Sequence, residues 1–521
     1  MNFGKIDKRL LIPIIFAIAL ALLQLTPSIA GYFVNTDKVY LGFESIQDSY
    51  VYASFIEDAK HNFFLLNKNH ALEPQVRTYF VPIFNVAAFM NTWLDLPLVF
   101  YVIRFFQTLF FLGCLWYFLS YFYKNYREKL FSYLFIPIAG GFGWLVTIVG
   151  VVIPLIGRIR SYDITYWMGF SLIGHMYLFH RYYALGLVLV GFIQLLKYYE
   201  KGETKRLIAA ALLGLVSFFI HPVTTIFFTV TVIGMQVLIA LKNGKIGKKQ
   251  ILTILVFGIV LFPIIPFSAW VAQNPVAADH QKVYFFQKAS QPFVFYFIAY
   301  GMLLIITLIS LTKASWLDDK DSPAIFKEVP KNSLFLSWII TSLILSQIGF
   351  GVEYTIFLFV ALAFVAAKWI YNIREKVPKL LWIAIILSCI LSVPFVIAER
   401  TNRAVTSEYA YITHGEDEAM KFLDNQPKGV FLGDKIISSI VVWRTKHTVF
   451  SDIEYLTYDY RDKMGEVKQF FDGNLDIPKE YKGKIDYLWI GPAEDLNKTY
   501  TSEKTELIFS NSDVKIYKIL K

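Results

Sequence analysis

The chain contains very little cysteine. Only Cys114 and Cys389 occur among its 521 residues, and both lie inside apolar segments. Two cysteines so placed exclude a disulfide framework, and neither has the spacing of a metal ligand. The polar C-terminal part has no glycine-rich phosphate-binding loop. The chain has no pair of histidines at i, i+4 with a Glu between them, as zinc hydrolases have, and no G-x-S-x-G turn of serine hydrolases. The sequence motifs of these enzyme classes are therefore absent.

Charged residues are also scarce. They make up 17% of the chain, whereas 56% of the residues are hydrophobic and the mean hydropathy is positive. An ordinary soluble protein of this size does not show these values. The formal net charge of +10 comes from residues 1–398, which hold 32 Lys and Arg against 19 Asp and Glu, because residues 399–521 hold 18 against 21. The basic excess belongs to the apolar part, so no nucleic-acid partner is expected.

The apolar residues are arranged in long runs. A helix needs about 20 mostly apolar residues to cross a bilayer. We predict about 11 spans, at 10–30, 97–121, 130–155, 176–197, 206–220, 221–241, 250–271, 293–312, 333–350, 352–371 and 380–398. The run 206–241 is split because Pro222, near its middle, has no backbone donor. A single long kinked helix is the alternative there.

Lys and Arg in short loops predict the orientation, because they favour the cytoplasm. If successive spans cross the membrane in alternate directions, the loops on the cytoplasmic side hold 22 of the 32 Lys and Arg found in residues 1–398. The N-terminus is then cytoplasmic and residues 399–521 are extracytoplasmic. The basic start and the triplet at residues 28–30 resemble a cleavable signal peptide. We expect an uncleaved anchor, and cleavage would not move any later segment across the membrane.

The predicted architecture is an α-helical polytopic membrane domain at residues 1–398, with a first outer loop at 31–96, followed by an extracytoplasmic α/β domain at 399–521. In the outer loop, Tyr52, Phe55 and Ile56 lie at helical spacing, which predicts an amphipathic surface helix. Beyond residue 399, helical and strand patterns alternate. The long loops fall on the outer face, where we expect the functional site.

Asp48 is the strongest candidate for chemistry. A carboxylate near the membrane surface can act as a general base toward a hydroxyl or bind a divalent cation. From the residues alone, the favoured alternative is that Asp48 is the N-cap of a helix beginning at Ser49. Glu44 lies one turn away and can share the role. Asn67 and Glu73 are polar residues of the same loop that can support it, and a solvated loop is their alternative.

Cationic residues gather on the same predicted outer face: Arg158, Arg160, His175, His180, Arg181 and His221. Such residues can bind a phosphate group and stabilise it as a leaving group. Their alternative role is membrane anchoring by snorkelling. Arg104 lies about seven residues into a span, where contact with lipid costs about 2.5 kcal/mol or more, so it should face the bundle interior. Either an ion pair or a lipid phosphate would satisfy it. Glu353 is the acidic residue of the late spans, with a simple loop charge as its alternative.

The chain resembles the GT-C class of integral membrane glycosyltransferases, and most closely its uncharacterised bacterial and archaeal members. The likeness covers nearly the whole chain but rests on short motifs: Asp48-Ser-Tyr-Val-Tyr, Asn67, Glu73-Pro-Gln, Arg104, Gly140-Gly-Phe-Gly-Trp, His175, Ile220-His-Pro, Gln273-Asn-Pro and Ile485-Asp-Tyr-Leu-Trp-Ile-Gly. The resemblance implies transfer of a sugar from a polyprenyl-phosphate donor to a lipid, glycan or protein acceptor on the outer face. It also implies that Asp48 is the catalytic or metal-binding acid. Asp163 would be a second ligand of a divalent metal ion such as Mg or Mn.

The sequence departs from that class in two places. The second outer loop has Asp163 alone in place of an acidic pair, and Glu353 stands in a segment where an arginine is expected. A non-catalytic envelope-assembly protein therefore stays open as an alternative. A transporter or flippase of lipid-linked glycans is another. That class should show internal repeats and ionisable groups along a mid-membrane path, and the sequence shows neither.

Overall fold

The computed structural model describes residues 8–42, 47–64, 70, 72, 80–153, 164, 171–175, 180–273, 293–312, 329–348, 351–407, 409–452, 457, 460–472, 483–492, 494 and 505–520. The chain divides into two compact units. The first unit comprises Met1–Thr26, Tyr101–Ile265 and Phe285–Glu399. The second unit comprises Pro27–Phe100, Pro266–Tyr284 and Arg400–Lys521.

Helices dominate the described residues. In chain order they are α1 (Lys8–Leu23), α2 (Thr26–Val34), α3 (Gln47–Ala59), α4 (Pro82–Met90), α5 (Leu96–Phe122), α6 (Tyr126–Ile138), α7 (Gly143–Val152), α8 (Leu172–His175), α9 (Arg181–Lys201), α10 (Thr204–Ile220), α11 (Pro222–Asn243), α12 (Lys248–Leu261), α13 (Ile264–Val271), α14 (Phe293–Thr312), α15 (Val329–Leu345), α16 (Gly351–Ile373), α17 (Lys379–Ile390), α18 (Ser392–Thr406), α19 (His414–Asn425), α20 (Lys435–Arg444) and α21 (Tyr460–Asp472). Each of the eleven predicted spans overlaps at least one of them.

Several of these helices are long and apolar enough to cross a membrane. Within the described residues there are seven: Lys8–Val34, Leu96–Phe122, Arg181–Lys201, Pro222–Asn243, Lys248–Val271, Glu353–Ile373 and Lys379–Thr406. The pair α6 and α7, bent by 44°, makes an eighth if it is one span. The protein is therefore a multi-pass membrane protein. The predicted count of about 11 spans is not confirmed: α10 has only 17 residues, and Phe295–Ser310 in α14 and Val329–Leu345 are shorter apolar helices.

The chain breaks at His221. This residue is extended, with φ −154° and ψ 96°, and it caps both the end of α10 and the start of α11. Pro222 takes the first position of α11, where a missing N–H removes no intrahelical hydrogen bond. The predicted division of the 206–241 run into two helices is confirmed. The two helices pack against each other within the first unit.

The glycine motif near residue 140 allows two backbones to meet inside the first unit. The N–H of Phe142 donates a hydrogen bond to the carbonyl oxygen of Ile298 at 2.7 Å. A Cβ placed on Gly141 would lie only 2.1 Å from the carbonyl oxygen of Ala299. Backbone atoms cannot yield as a flexible side chain can, so this approach requires glycine. The motif is thus explained by packing.

The second unit contains the strands. In chain order they are β1 (Val39–Tyr40), β2 (Tyr411–Ile412), β3 (Val430–Leu432), β4 (Thr448–Val449), β5 (Tyr487–Ile490), β6 (Thr505–Ser510) and β7 (Lys515–Ile519). Strands β1 and β2 form an antiparallel pair, and the others form a sheet in the order β4-β3-β5-β7-β6. Strand β3 is parallel to β4 and β5, whereas β7 is antiparallel to β5 and β6. The predicted C-terminal α/β character is confirmed.

The helix predicted in the first outer loop is α3. Its buried residues Tyr50, Ala53 and Ile56 recur every three positions, so they lie along one face of the helix. The helix packs on α4 and α20 within the second unit. Tyr50, for example, stacks on Trp443 with the ring centroids 6.4 Å apart. The amphipathic pattern therefore reflects a face that packs against protein.

Candidate functional site

Three helix ends of the first unit bring polar side chains together around one carboxylate. Arg181 is the first residue of α9, Glu353 lies in the first turn of α16, and His221 is the break between α10 and α11. Arg181 Nη1 donates to Glu353 Oε2. His221 Nε2 lies 3.7 Å from the same oxygen, and His221 Nδ1 lies 2.7 Å from Thr224 Oγ1. We call Arg181, His221, Thr224 and Glu353 the Glu353 cluster.

The Glu353 cluster is shielded from solvent. The side chains of Arg181, His221 and Glu353 are only 8%, 11% and 12% exposed. Charges this buried persist only when they are paired, because desolvation of a lone charge is costly. A carboxylate beside Nε2 favours a proton there, which leaves Nδ1 to accept the Thr224 hydroxyl. The first turn of α16 also favours a negative charge at Glu353 through the helix dipole.

The cluster brings together residues that the sequence suggested separately. Arg181 and His221 were predicted to bind phosphate, and both contact Glu353. Glu353 lies inside a helix, so it is more than a loop charge. Sequence reasoning missed Thr224. Its position in the sequence could have indicated the contact: Thr224 lies three residues after His221 at the start of a helix, where its hydroxyl can reach the imidazole.

Arg104 is a second buried cation of the first unit. It is 2% exposed, which confirms the prediction that it faces the interior. Gln24 holds the turn of α5 that contains Arg104. The Nε2 of Gln24 donates to the Arg104 carbonyl oxygen and to Thr108 Oγ1, both at 2.8 Å. This amide joins the end of α1 to α5. Sequence reasoning missed both Gln24 and Thr108, because a lone polar residue in an apolar run does not reveal its partner.

Asp48 is the second residue of α3, in the second unit. The helix begins at Gln47, so Asp48 lies in the first helical turn and is not the cap of a helix beginning at Ser49. It is partly buried. The other predicted site residues, Glu44, Asn67, Glu73, Arg158, Arg160 and Asp163, lie outside the described residues, as does the side chain of His175.

The resemblance implies a divalent metal ion held by Asp48 and Asp163, and the described residues alone do not make a complete site for it. Among them, no three His, Cys, Asp or Glu side chains converge on one point. Of the predicted ligands, Asp48 is described and Asp163 is not. A single carboxylate is too small a ligand set to define a Mg²⁺ site.

A pair of acids lies at the carboxyl edge of the sheet in the second unit. Asp434 follows β3 and caps α20, and Glu494 follows β5. Glu494 accepts hydrogen bonds from the N–H groups of Gly491 at 2.7 Å and Asp434 at 3.2 Å. Burial, and then the charge of Asp434, raise the pKa of Glu494 to about 7. This edge is a switch point of the sheet, because β4 and β5 lie on opposite sides of β3.

The fold of the chain, a helical body with a mixed sheet, is similar to that of solved oligosaccharyltransferase and ArnT structures. No protein-family model and no curated protein sequence matches the chain. Solved structures do match its fold. The apo oligosaccharyltransferase of Archaeoglobus fulgidus matches with a TM-score of 0.58 and 10% identity, over 93% of this chain and 70% of that chain. The predicted resemblance is therefore confirmed for the fold.

Two further matches were solved with lipid phosphates. ArnT from Cupriavidus metallidurans, bound to undecaprenyl phosphate, matches with a TM-score of 0.54 and 11% identity over 97% of both chains. AglB from Archaeoglobus fulgidus, in complex with an inhibitory peptide and a dolichol-phosphate, has the same TM-score and identity over 92% of this chain and 69% of that one. Another structure of the Archaeoglobus fulgidus enzyme contains Zn and sulfate.

Proposed function

We propose that this protein is a membrane glycosyltransferase that transfers a sugar from a polyprenyl-phosphate-linked donor to a lipid, glycan or protein acceptor. The observation that carries the proposal is the fold match to ArnT, which extends over 97% of both chains. Undecaprenyl phosphate in that structure and dolichol-phosphate in AglB are both polyprenyl phosphates. Two proteins of this fold thus hold the same class of lipid. The motif resemblance supports the same conclusion independently.

The Glu353 cluster is the proposed site of the donor phosphate. A guanidinium presents several N–H donors in a planar fork that suits phosphate oxygens. Arg181 Nη1 donates a hydrogen bond to Glu353 Oε2. A phosphate would compete with the carboxylate for that donor, and the Nε2–H of His221 would be a second donor to it. Arg104, Arg158, Arg160 and His175 are proposed as further cations of the donor site.

The proposed reaction is an inverting displacement at the anomeric carbon. The acceptor hydroxyl oxygen forms the new bond to that carbon while its proton passes to the Asp48 carboxylate. The anomeric carbon–oxygen bond to the donor breaks, and the polyprenyl phosphate leaves with the electron pair. Arg181 stabilises the charge that develops on the leaving phosphate. Glu44 is proposed to share the role of Asp48, with Asn67 and Glu73 in support.

The proposal includes a divalent metal ion and an orientation. As the alternative to its role as base, Asp48 would hold Mg²⁺ or Mn²⁺ together with Asp163, and oxygen ligands of this kind suit both ions. The N-terminus is proposed to be cytoplasmic and residues 399–521 extracytoplasmic. Basic loops support this orientation. The acceptor would then be met on the outer face of the membrane.

Replacement of one carboxylate tests the role of Asp48. Asp48→Asn keeps the shape of the side chain and removes the base, so transfer should fall by about 100-fold or more. The matched control is Asp37→Asn, an exposed acid of the same predicted outer loop, which should transfer at the parent rate. Protein in lipid nanodiscs would receive radiolabelled hexosyl and pentosyl polyprenyl phosphates and an envelope extract as acceptor. Transfer by Asp48→Asn at the parent rate would exclude Asp48 as the base.

A second pair of variants tests the Glu353 cluster. Arg181→Met leaves the Glu353 carboxylate buried without its guanidinium, which should lower the free energy of unfolding by about 3 kcal/mol. The double variant Arg181→Met/Glu353→Gln removes both charges and should recover most of that loss. Undecaprenyl phosphate binding, measured by native mass spectrometry, should stay weak in both variants. Restored lipid binding in the double variant would rule out Arg181 as a phosphate ligand.

A further inference from the structure

Three side chains of the second unit form a hydrogen-bonded series that plays no part in the proposed sugar transfer. Ser54 Oγ lies 2.7 Å from His70 Nε2, and His70 Nδ1 lies 2.5 Å from Asp452 Oδ2. The side chains of His70 and Asp452 are fully buried. The second carboxylate oxygen, Asp452 Oδ1, accepts a hydrogen bond from Ser439 Oγ. A hydroxyl, an imidazole and a carboxylate are thus connected in that order.

The chemistry of the three groups fixes where the protons lie. A carboxylate only accepts hydrogen bonds, so His70 Nδ1 carries a proton and donates it to Asp452. A neutral imidazole then has a free electron pair at Nε2, and the Ser54 hydroxyl is the donor in reach. The carbonyl oxygen of Val51, at 2.8 Å, is a second acceptor for the same hydroxyl. Donation to Nε2 satisfies a fully buried nitrogen, which favours that orientation.

Surrounding hydrogen bonds hold the backbone of His70 and of Asp452 in place. Thr457 Oγ1 donates to the carbonyl oxygen of His70 at 3.2 Å and accepts from the N–H of Asp452 at 3.1 Å. Ser439 belongs to α20 and Ser54 to α3, two helices that pack on each other. The base and the group that orients it are therefore both fixed. This is the supporting arrangement that a nucleophile activated by a general base requires.

The hydroxyl end of the series opens onto a cleft of about 360 Å³. Ser54 is one of its lining residues, and the cationic residues Lys428, Arg444 and Lys446 line it as well. Positive charge close to a reacting carbonyl stabilises the oxyanion of a tetrahedral intermediate. The volume lies at the lower end of the range of small-molecule sites. A ligand in this cleft can reach Ser54, whereas His70 and Asp452 stay behind it.

We propose that Ser54, His70 and Asp452 form a catalytic triad that hydrolyses short-chain carboxylic esters borne on polar molecules. Ser54 Oγ bonds to the ester carbon while its proton moves to His70 Nε2. The ester carbon–oxygen bond then breaks, and the leaving alcohol takes that proton. Water repeats the sequence on the acyl-serine, giving the free acid and restoring Ser54. Asp452 is the positioning residue that holds the imidazole and stabilises its charged form.

The small cleft and its polar rim define the substrate class. Acidic residues Glu57 and Asp58 and the three cations line the same space, so a polar carrier fits better than a long acyl chain. Sequence motifs do not reveal this site, because Ser54 lies within α3 and not in a G-x-S-x-G turn. Triads are recognised by geometry and by the role of each residue.

Covalent labelling tests the proposal directly. The full-length protein in nanodiscs would be treated with a fluorophosphonate, and the labelled residue identified by peptide mass spectrometry. Label on Ser54, lost after heat denaturation, is the expected result. p-Nitrophenyl acetate hydrolysis should fall by about 10³-fold or more in Ser54→Ala and stay unchanged in Ser512→Ala, an exposed serine of the same unit. Equal hydrolysis by parent and Ser54→Ala, or folded parent protein without label on Ser54, would overturn the triad and leave a structural network.

Asp452→Asn tests the positioning role. An amide can no longer hold the proton on Nδ1, so the rate of fluorophosphonate labelling should fall by about 10⁴-fold. Labelling at the parent rate in a folded Asp452→Asn protein would remove Asp452 from the triad. If that variant does not fold, labelling of Ser54 in the parent protein still decides the main proposal.

Discussion

Glu494 makes the stability of the C-terminal sheet depend on pH. Burial and the nearby charge of Asp434 raise its pKa from 4.5 to about 7 in the folded protein. Between these two pH values the folded state therefore holds a proton that the unfolded state has released. Stability falls with rising pH wherever the folded state binds more protons. The sheet should be most stable at the acidic end of this range and should lose that advantage as the pH rises through 7.

The size of the effect follows from the two pKa values. The difference between 4.5 and about 7, at 1.36 kcal/mol per pKa unit, corresponds to about 3 kcal/mol of unfolding free energy. The N–H groups of Gly491 and Asp434 donate hydrogen bonds to the Glu494 carboxylate and favour its charged form. The pKa of about 7 already includes their effect. Glu494→Gln resembles the protonated acid, so it should remove most of this pH dependence.

Hydrogen exchange of the β5 amides measures this free energy locally. Exchange at Trp489 and Ile490 would be followed from pH 5 to pH 8 in the parent protein and in Glu494→Gln, after correction for the intrinsic pH dependence of exchange. The matched control is Glu506→Gln, an exposed acid on β6, which should follow the parent curve. Identical pH dependence in the parent and in Glu494→Gln would refute the assignment of the raised pKa to Glu494.

Two further predictions concern packing and orientation. Gly141→Ala should lower the free energy of unfolding by about 3 kcal/mol, because its Cβ would collide with the Ala299 carbonyl oxygen; Gly113→Ala, with open space at its Cβ, should be neutral or slightly stabilising in the same thermal-unfolding assay. Cysteines introduced singly at positions 247 and 473 should differ in intact cells: an impermeant thiol reagent should label position 473 and not 247. Labelling at 247 from outside would reverse the proposed orientation.

Much of the helical architecture could be read from local sequence. A span depends on hydropathy over about 20 consecutive residues, so each predicted segment overlaps a helix. The break at His221-Pro222 is local as well, since proline removes one donor at a fixed position. The burial of Arg104 followed from the cost of a charge in lipid. These properties require no knowledge of which helix lies beside which.

The sites depend on packing between distant segments. Arg181 and Glu353 are 172 positions apart, and His70 and Asp452 are 382 apart, so no spacing rule connects them. The pKa of Glu494 arises from β3 and β5 lying side by side, which the strand order decides. Sequence alone determined that this chain is a multi-helix membrane protein with a polar α/β C-terminus. Only the tertiary structure decided which charges pair, because a pair forms where helices and strands pack, and packing is a property of the whole unit.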